Sequence, residues 1–293
     1  MNKQTKSTFK GCVTFWLSLL GGYFFQFIAL IMITLFVSNS TTNSTENLLK
    51  NIYVNLILYL ALYGAILLIC LLTNKPKKEL FKKVSFKKVL IYSTISAATF
   101  FMLNPIISCI SSWLINLGLT PTTLTFKLTT KNYFIALIFI VLLPAVIEEI
   151  LFRGIIFSNI SKHGKTSATI ITTLMFSLFH TSIFQTIYPI LFGLLLCVII
   201  YREDNIYYCI IAHTINNFLA LTSAFFNWQL FSSALWFTIL ACILAIIYVT
   251  IISYAITKQK DKCEKQPFTP KDKLALILTF AALSAMLVYS IFI

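Results

Sequence analysis

Charge is what this chain has least of. Only 11% of its 293 residues are Asp, Glu, Lys or Arg, and just nine are acidic. With 58% hydrophobic residues and a mean hydropathy of +0.88, a soluble globular domain is excluded, because its surface needs far more polar side chains. The seven cysteines show no paired spacing of the disulfide or zinc-finger kind, and six of them lie in apolar stretches. They read as small apolar residues. No internal repeat is visible, direct or inverted, so the pattern that favours a transporter is missing. The first apolar run follows lysines as a signal peptide would, but it extends over about 26 residues without a small-residue cleavage site and reads as a retained anchor.

What is present is a succession of apolar runs near the roughly 20 residues that cross a bilayer. The sequence predicts about nine spans, near 12–37, 51–73, 89–117, 133–157, 167–182, 184–201, 206–224, 232–256 and 274–293. The fifth is short. The fold class is therefore all-α, a polytopic transmembrane helix bundle, and the bilayer is its first partner. The net charge of +14 does not point to nucleic acid. With a cytoplasmic N-terminus, 20 of the 23 basic residues fall on the cytoplasmic side, leaving only Lys50, Lys127 and Lys131 outside. That is the positive-inside asymmetry, and the lysines face anionic lipid. A multi-pass protein of the cell membrane is expected. The Lys-, Asn-, Ile- and Phe-rich composition points to an AT-rich bacterial source and hence to a bacterial plasma membrane.

Three regions follow: residues 1–130 with three spans, 131–222 with four, and 223–293 with two. The first three spans carry no ionisable residue in their apolar cores. Lys75 to Lys88, with Phe81, Val84 and Phe86 interleaved, reads as an amphipathic interfacial segment or a plain cytoplasmic loop. Pro105 after Asn104 is a candidate kink in the third span. Asn39-Ser40-Thr41 and Asn43-Ser44-Thr45 match the short glycosylation pattern. The 27 Phe and 13 Tyr read as lipid-facing and interfacial surface, and His163, beside Lys162 and Gly164, as a solvated loop residue.

The chemistry concentrates between Tyr133 and Leu219. Glu148 and Glu149 sit side by side in an apolar run, where even one carboxylate costs a few kcal/mol. Glu149 and Arg153, spaced i, i+4, share a helical face and form an ion pair. Glu148 points about 100° away and is available for chemistry; one arginine cannot neutralise both acids. The next span brings Phe176 and His180, again i, i+4, and the seventh span His213 and Asn217 at the same spacing, with Asn216 as the neighbouring choice. Counted along their helices, Glu148, His180 and His213 lie roughly 10–20 Å deep, so one cavity opening toward the cytoplasm can hold all three. Interhelical hydrogen bonding is the plain alternative for each histidine alone. Together, the residues permit two mechanisms. Glu148 acts as general base on water beside His180, with His213 and Asn217 donating to the oxyanion. Alternatively, Glu148, His180 and His213 ligate a zinc ion that activates the water. The cofactor is thus unknown, with zinc the one metal the residues suggest.

Glu148-Glu149-x-x-x-Arg153, Phe176-x-x-x-His180 and His213-x-x-x-Asn217, in that order, resemble the CPBP family of intramembrane proteases. The family includes CAAX prenyl endopeptidases and bacteriocin-immunity or abortive-infection proteins. The resemblance implies a hydrolase, a CPBP-type intramembrane (metallo)endopeptidase, acting on a peptide or protein at the membrane in bacteriocin immunity or peptide processing. It implies catalytic roles for Glu148, His180, His213 and Asn217, with structural support from Glu149, Arg153 and Phe176. Rival readings are a non-enzymatic bacteriocin-immunity protein and an ion-coupled transporter using Glu148 and the histidines as a relay.

Overall fold

A computed structural model describes residues 7–37, 50–121, 128–226, 235–258 and 265–292. The two glycosylation-like triplets lie outside the described residues. Among the described residues nine helices run α1 Thr8–Val37, α2 Ile52–Thr73, α3 Phe86–Asn116, α4 Thr130–His163, α5 Lys165–Leu178, α6 Ile183–Glu203, α7 Ile206–Phe225, α8 Leu235–Lys258 and α9 Pro270–Phe292, with no strand. Each expected span has its helix. Six of them (α1, α2, α3, α4, α6 and α9) are long and apolar enough to cross a membrane, and α8 contributes a shorter apolar stretch, Cys242–Lys258. α5 is shorter than expected at 14 residues, about 21 Å at 1.5 Å per residue. α4 is longer, 34 residues.

Local chemistry sets the breaks. Asn51 caps α2 by accepting from the Tyr53 N–H at 2.9 Å, and Thr129 opens α4 in the same way through the Asn132 N–H. α6 stops at Asp204, which adopts the left-handed conformation (φ 46°) that ends helices. The neighbouring Asn205 then caps α7 through the Tyr207 N–H and also donates to the carbonyl of Lys82 at 3.1 Å. Between α4 and α5 the turn needs φ 103°, which Gly164 supplies.

α4 is not uniformly α-helical. Two π-helical stretches, Leu137–Leu142 and Ile150–Phe157, flank the seven α-helical residues that end in Glu148 and Glu149. The first ends where Leu143 donates to the Ile138 carbonyl, five residues back, immediately before Pro144. Pro144 has no N–H to give, so the widened register relieves an interruption that a plain α-helix cannot satisfy. In α3 the helix runs through Pro105, whose ring is buried.

The centre of the bundle is α4 and α6, of whose apolar windows 50% and 56% is buried, against 11% for α1. One apolar cluster draws Phe15 and Leu19, Ile66, Ile147 to Ile160, Met175 and Phe176, Phe192 to Ile200, Ala212, Ile252 and Leu283 together. Outward surfaces remain apolar: Phe36 is 85% exposed, Leu72 76% and Tyr289 68%. In water such faces would aggregate; in a bilayer they meet lipid. The chain is a multi-pass membrane protein.

The basic loops gather at one end. There the Asp272 carboxylate accepts from the Phe9 N–H at 2.8 Å, the Gln266 N–H donates to the Lys162 carbonyl, and Lys88 pairs with Glu203. His163 is a correction to the sequence reading. It is buried, bonded to Thr8 Oγ1 at 2.9 Å and to the Gln266 carbonyl at 2.7 Å, and stacked 3.7 Å from Phe268. The ring closes the seam between α1, the α4–α5 turn and the approach to α9. At the opposite end meet the residues after α3, the α5–α6 turn and the last turn of α9.

Candidate active site

Glu148 and Glu149 leave α4 on different sides and enter different hydrogen-bond networks. Glu149 and Arg153 are fully buried. Arg153 Nη1 donates to Glu149 Oε1 at 2.8 Å and Nη2 donates to the Gly193 carbonyl of α6 at 3.3 Å. The guanidinium carbon lies 4.5 Å from the centre of the Phe176 ring, a cation–π contact that substitutes for lost hydration. Gly193 makes the approach possible: a Cβ there would stand 3.2 Å from Phe176 Cδ1 and 3.5 Å from Arg153 Nη2.

His213 Nδ1 lies 2.9 Å from the same Glu149 Oε1. That oxygen already accepts from Arg153, so it accepts here too and Nδ1 carries the proton. On the other side of the ring Nε2 stands 3.9 Å from Glu148 Oε2. Glu148 Oε1 accepts from the Tyr63 hydroxyl of α2 at 2.8 Å. Glu148 Oε2 is buried and has no hydrogen-bond partner among the described residues. A buried carboxylate oxygen left facing an imidazole nitrogen beyond hydrogen-bond reach is a costly arrangement that packing alone does not explain.

The other expected residues fall around this pair. Phe176 sets its edge against His213 at 5.7 Å and against His180 at 5.3 Å, between the two rings. His180 is half-buried. Its Nδ1 is bonded to the Phe176 carbonyl at 3.0 Å, and it pairs with neither glutamate. It lines a cavity of about 180 Å³ with Thr120, Ser182, Gln185 and Ser290. This cavity lies at the end away from the lysine-rich loops, not at the cytoplasmic end the sequence suggested. Asn217, one turn beyond His213, is half-buried and makes no hydrogen bond among the described residues. Asn216 instead is buried and accepts from the Tyr188 hydroxyl. Among the described residues no three His, Cys, Asp or Glu side chains converge as a metal ion requires. In this arrangement Glu148, His180 and His213 do not form a ligand set, and no step below passes through a metal.

Tyr63, Tyr188 and Gly193 complete the site and were not singled out from the sequence. Tyr63 corrects the reading of the tyrosines as outer surface and of the first three spans as bland. The signal was the Tyr59, Tyr63 spacing, i, i+4, which puts two hydroxyl-bearing rings on one face of an otherwise aliphatic span.

Fold and site together define a class: a multi-pass membrane protein with a buried carboxylate–imidazole centre built across several helices. Residues 130–219, under a third of the chain, are similar to the family model described as Type II CAAX prenyl endopeptidase Rce1-like. They span α4 to α6 and most of α7. No curated protein and no solved structure matches the chain.

Proposed function

We propose that this protein is an intramembrane endopeptidase that hydrolyses a peptide bond with water activated by Glu148. The observation that carries the reading is the 3.9 Å gap between Glu148 Oε2 and His213 Nε2, two acceptors facing one another in a buried site. One water bridges such a gap with hydrogen bonds of ordinary length, donating one proton to each. Both its protons are then engaged, and its lone pairs face the third direction, where a scissile carbonyl would lie.

The reaction follows from that placement. Glu148 takes a proton as the water oxygen bonds to the carbonyl carbon. The amide of Asn217 donates to the developing oxyanion. As the C–N bond breaks, Glu148 returns its proton to the leaving nitrogen, giving a carboxylic acid and an amine, which exchange a proton on release, without a covalent acyl-enzyme. Glu149 holds His213 in the tautomer that accepts, and Arg153 fixes Glu149 through their 2.8 Å contact. These roles differ in two respects from those the resemblance implies: His213 shares the water instead of donating to the oxyanion, and His180 lines the neighbouring cavity instead of activating the water. The substrate is a membrane-associated peptide or protein, and the setting is peptide processing or bacteriocin immunity at a bacterial plasma membrane.

The test compares peptide termini in membranes of cells carrying the wild-type protein or Glu148→Ala at matched expression. Termini present with wild type and lost in the variant are the expected result. Identical termini in the two membranes would leave the chain as a non-catalytic binder.

A further inference from the structure

Glu148 has two oxygens, and only one is free to meet water. The other is held by a residue from α2, outside the matched segment 130–219. Tyr63 is buried, 8% exposed, and donates its hydroxyl to Glu148 Oε1 at 2.8 Å. Its ring stacks on Tyr59 at 6.0 Å with an interplanar angle of 21°, and Tyr59 packs on Phe139 of α4 at 5.2 Å. Phe139 is fully buried in a second apolar cluster with Ile52, Ala136 and Leu221. A line of three rings therefore runs from one π-helical stretch of α4 through α2 and back to the glutamate nine residues further along α4.

We propose that Tyr63 is a positioning residue for the hydrolysis, fixing the Glu148 carboxylate so that Oε2 alone faces His213 Nε2. The inference rests on the reading of Glu148 as the general base. The physical ground is the number of acceptors. A buried carboxylate free to rotate can turn either oxygen toward His213, and its preferred direction is set by whichever donor it finds. A hydroxyl donor to an ionised acceptor is among the stronger neutral–charged hydrogen bonds. Because Tyr63 occupies Oε1, rotation of the carboxylate would break that bond, and the orphaned oxygen stays aimed at the imidazole. Near-attack geometry of this kind is worth large rate factors for small displacements. The hydroxyl touches Glu148 and not the reacting atoms, so the residue acts through the base.

Two arms test the proposal with full-length protein in detergent or vesicles. In the first, wild type, Glu148→Gln, Tyr63→Phe and Tyr59→Phe are assayed on an internally quenched peptide ending in a farnesylated CAAX sequence, and on one copied from any segment whose terminus depends on Glu148. Tyr63→Phe is expected to lower kcat about 10-fold or more, corresponding to about 1.4 kcal/mol in the barrier, with KM within about twofold. Tyr59→Phe, whose hydroxyl makes no hydrogen bond among the described residues, is expected to match wild type. Wild-type kcat in Tyr63→Phe, or an effect confined to KM, overturns the proposal and leaves the general-base reading standing. Wild-type turnover in Glu148→Gln instead sinks that reading itself.

The second arm needs no substrate. Thermal unfolding of Tyr63→Phe, Glu148→Leu and the double variant forms a cycle in which contacting partners are non-additive. The double variant is expected to shift Tm no further than the larger single change. Additive shifts would mean that the hydroxyl and the carboxylate do not meet, and the proposal fails whether or not a substrate is known.

Discussion

At the scale of single residues, the site depends on close approach as much as on charge. Gly193→Ala forces a methyl group toward Phe176 Cδ1, Thr173 Cγ2 and Arg153 Nη2, at 3.2, 3.3 and 3.5 Å. Overpacking of this kind costs about 1–3 kcal/mol. Gly64→Ala in α2 meets nothing within 4 Å, and a helix-interior alanine gains about 0.5–1 kcal/mol over glycine. Thermal melts of the two variants in detergent should therefore shift in opposite directions; a neutral Gly193→Ala would mean that α5 and α6 can part without consequence for Arg153. The Glu149–Arg153 pair was legible in the sequence because i, i+4 spacing fixes a shared face. Tyr63 was not, since a tyrosine in an aliphatic span has the same letter whether its hydroxyl meets lipid headgroups or a carboxylate. His163 was misread because loop position was taken for exposure, whereas its partners, Thr8 and Gln266, come from segments over 100 residues away on either side.

At the scale of elements, α4 carries the largest difference between pattern and structure. Apolar periodicity locates a membrane helix but cannot reveal a widened turn, because an almost uniformly apolar run has no polar stripe to shift. The π-helical stretch Leu137–Leu142 adds a residue to the turn before Pro144. Inserting one alanine after Phe134, in the α-helical stretch Thr130–Ala136 that precedes the widened turn, should rotate Glu148 and Glu149 by about 100° relative to the Tyr133 end. The expected outcome is loss of Glu148-dependent termini with helix content by circular dichroism unchanged. Cleavage retained at the wild-type level would show that the glutamates face His213 independently of that turn. The spans themselves were legible throughout. Their ends were less so, and α5 stops at Leu178 because the following backbone folds into the turn that carries His180 and Thr181, the latter at φ 53°.

At the scale of the whole molecule, two ends are distinguished by charge and by contact. The clasp of Phe9, Lys162, Gln266 and Asp272 shares its end with the lysine-rich loops, while Thr120, His180 and Ser290 meet at the other. By the charge asymmetry the first end is expected to face the cytoplasm. In a cysteine-free background, Thr120→Cys is therefore expected to react with a membrane-impermeant maleimide in intact cells, and Lys82→Cys only after permeabilisation. The reverse pattern would invert the chain. The sequence could assign the ends by counting lysines, but it could not say at which of them the His180 cavity lies, because that depends on where α5 stops. That short helix has a further consequence. At about 21 Å α5 falls short of a hydrocarbon layer about 30 Å thick, and the missing length coincides with the cavity of about 180 Å³ beside His180. A hydrolase surrounded by lipid consumes one solvent molecule per turnover from a medium that contains almost none. The cavity beside the truncated helix lies one aromatic ring away from the imidazole of His213, so for the proposed hydrolysis the route of the second substrate is set by the length of a helix.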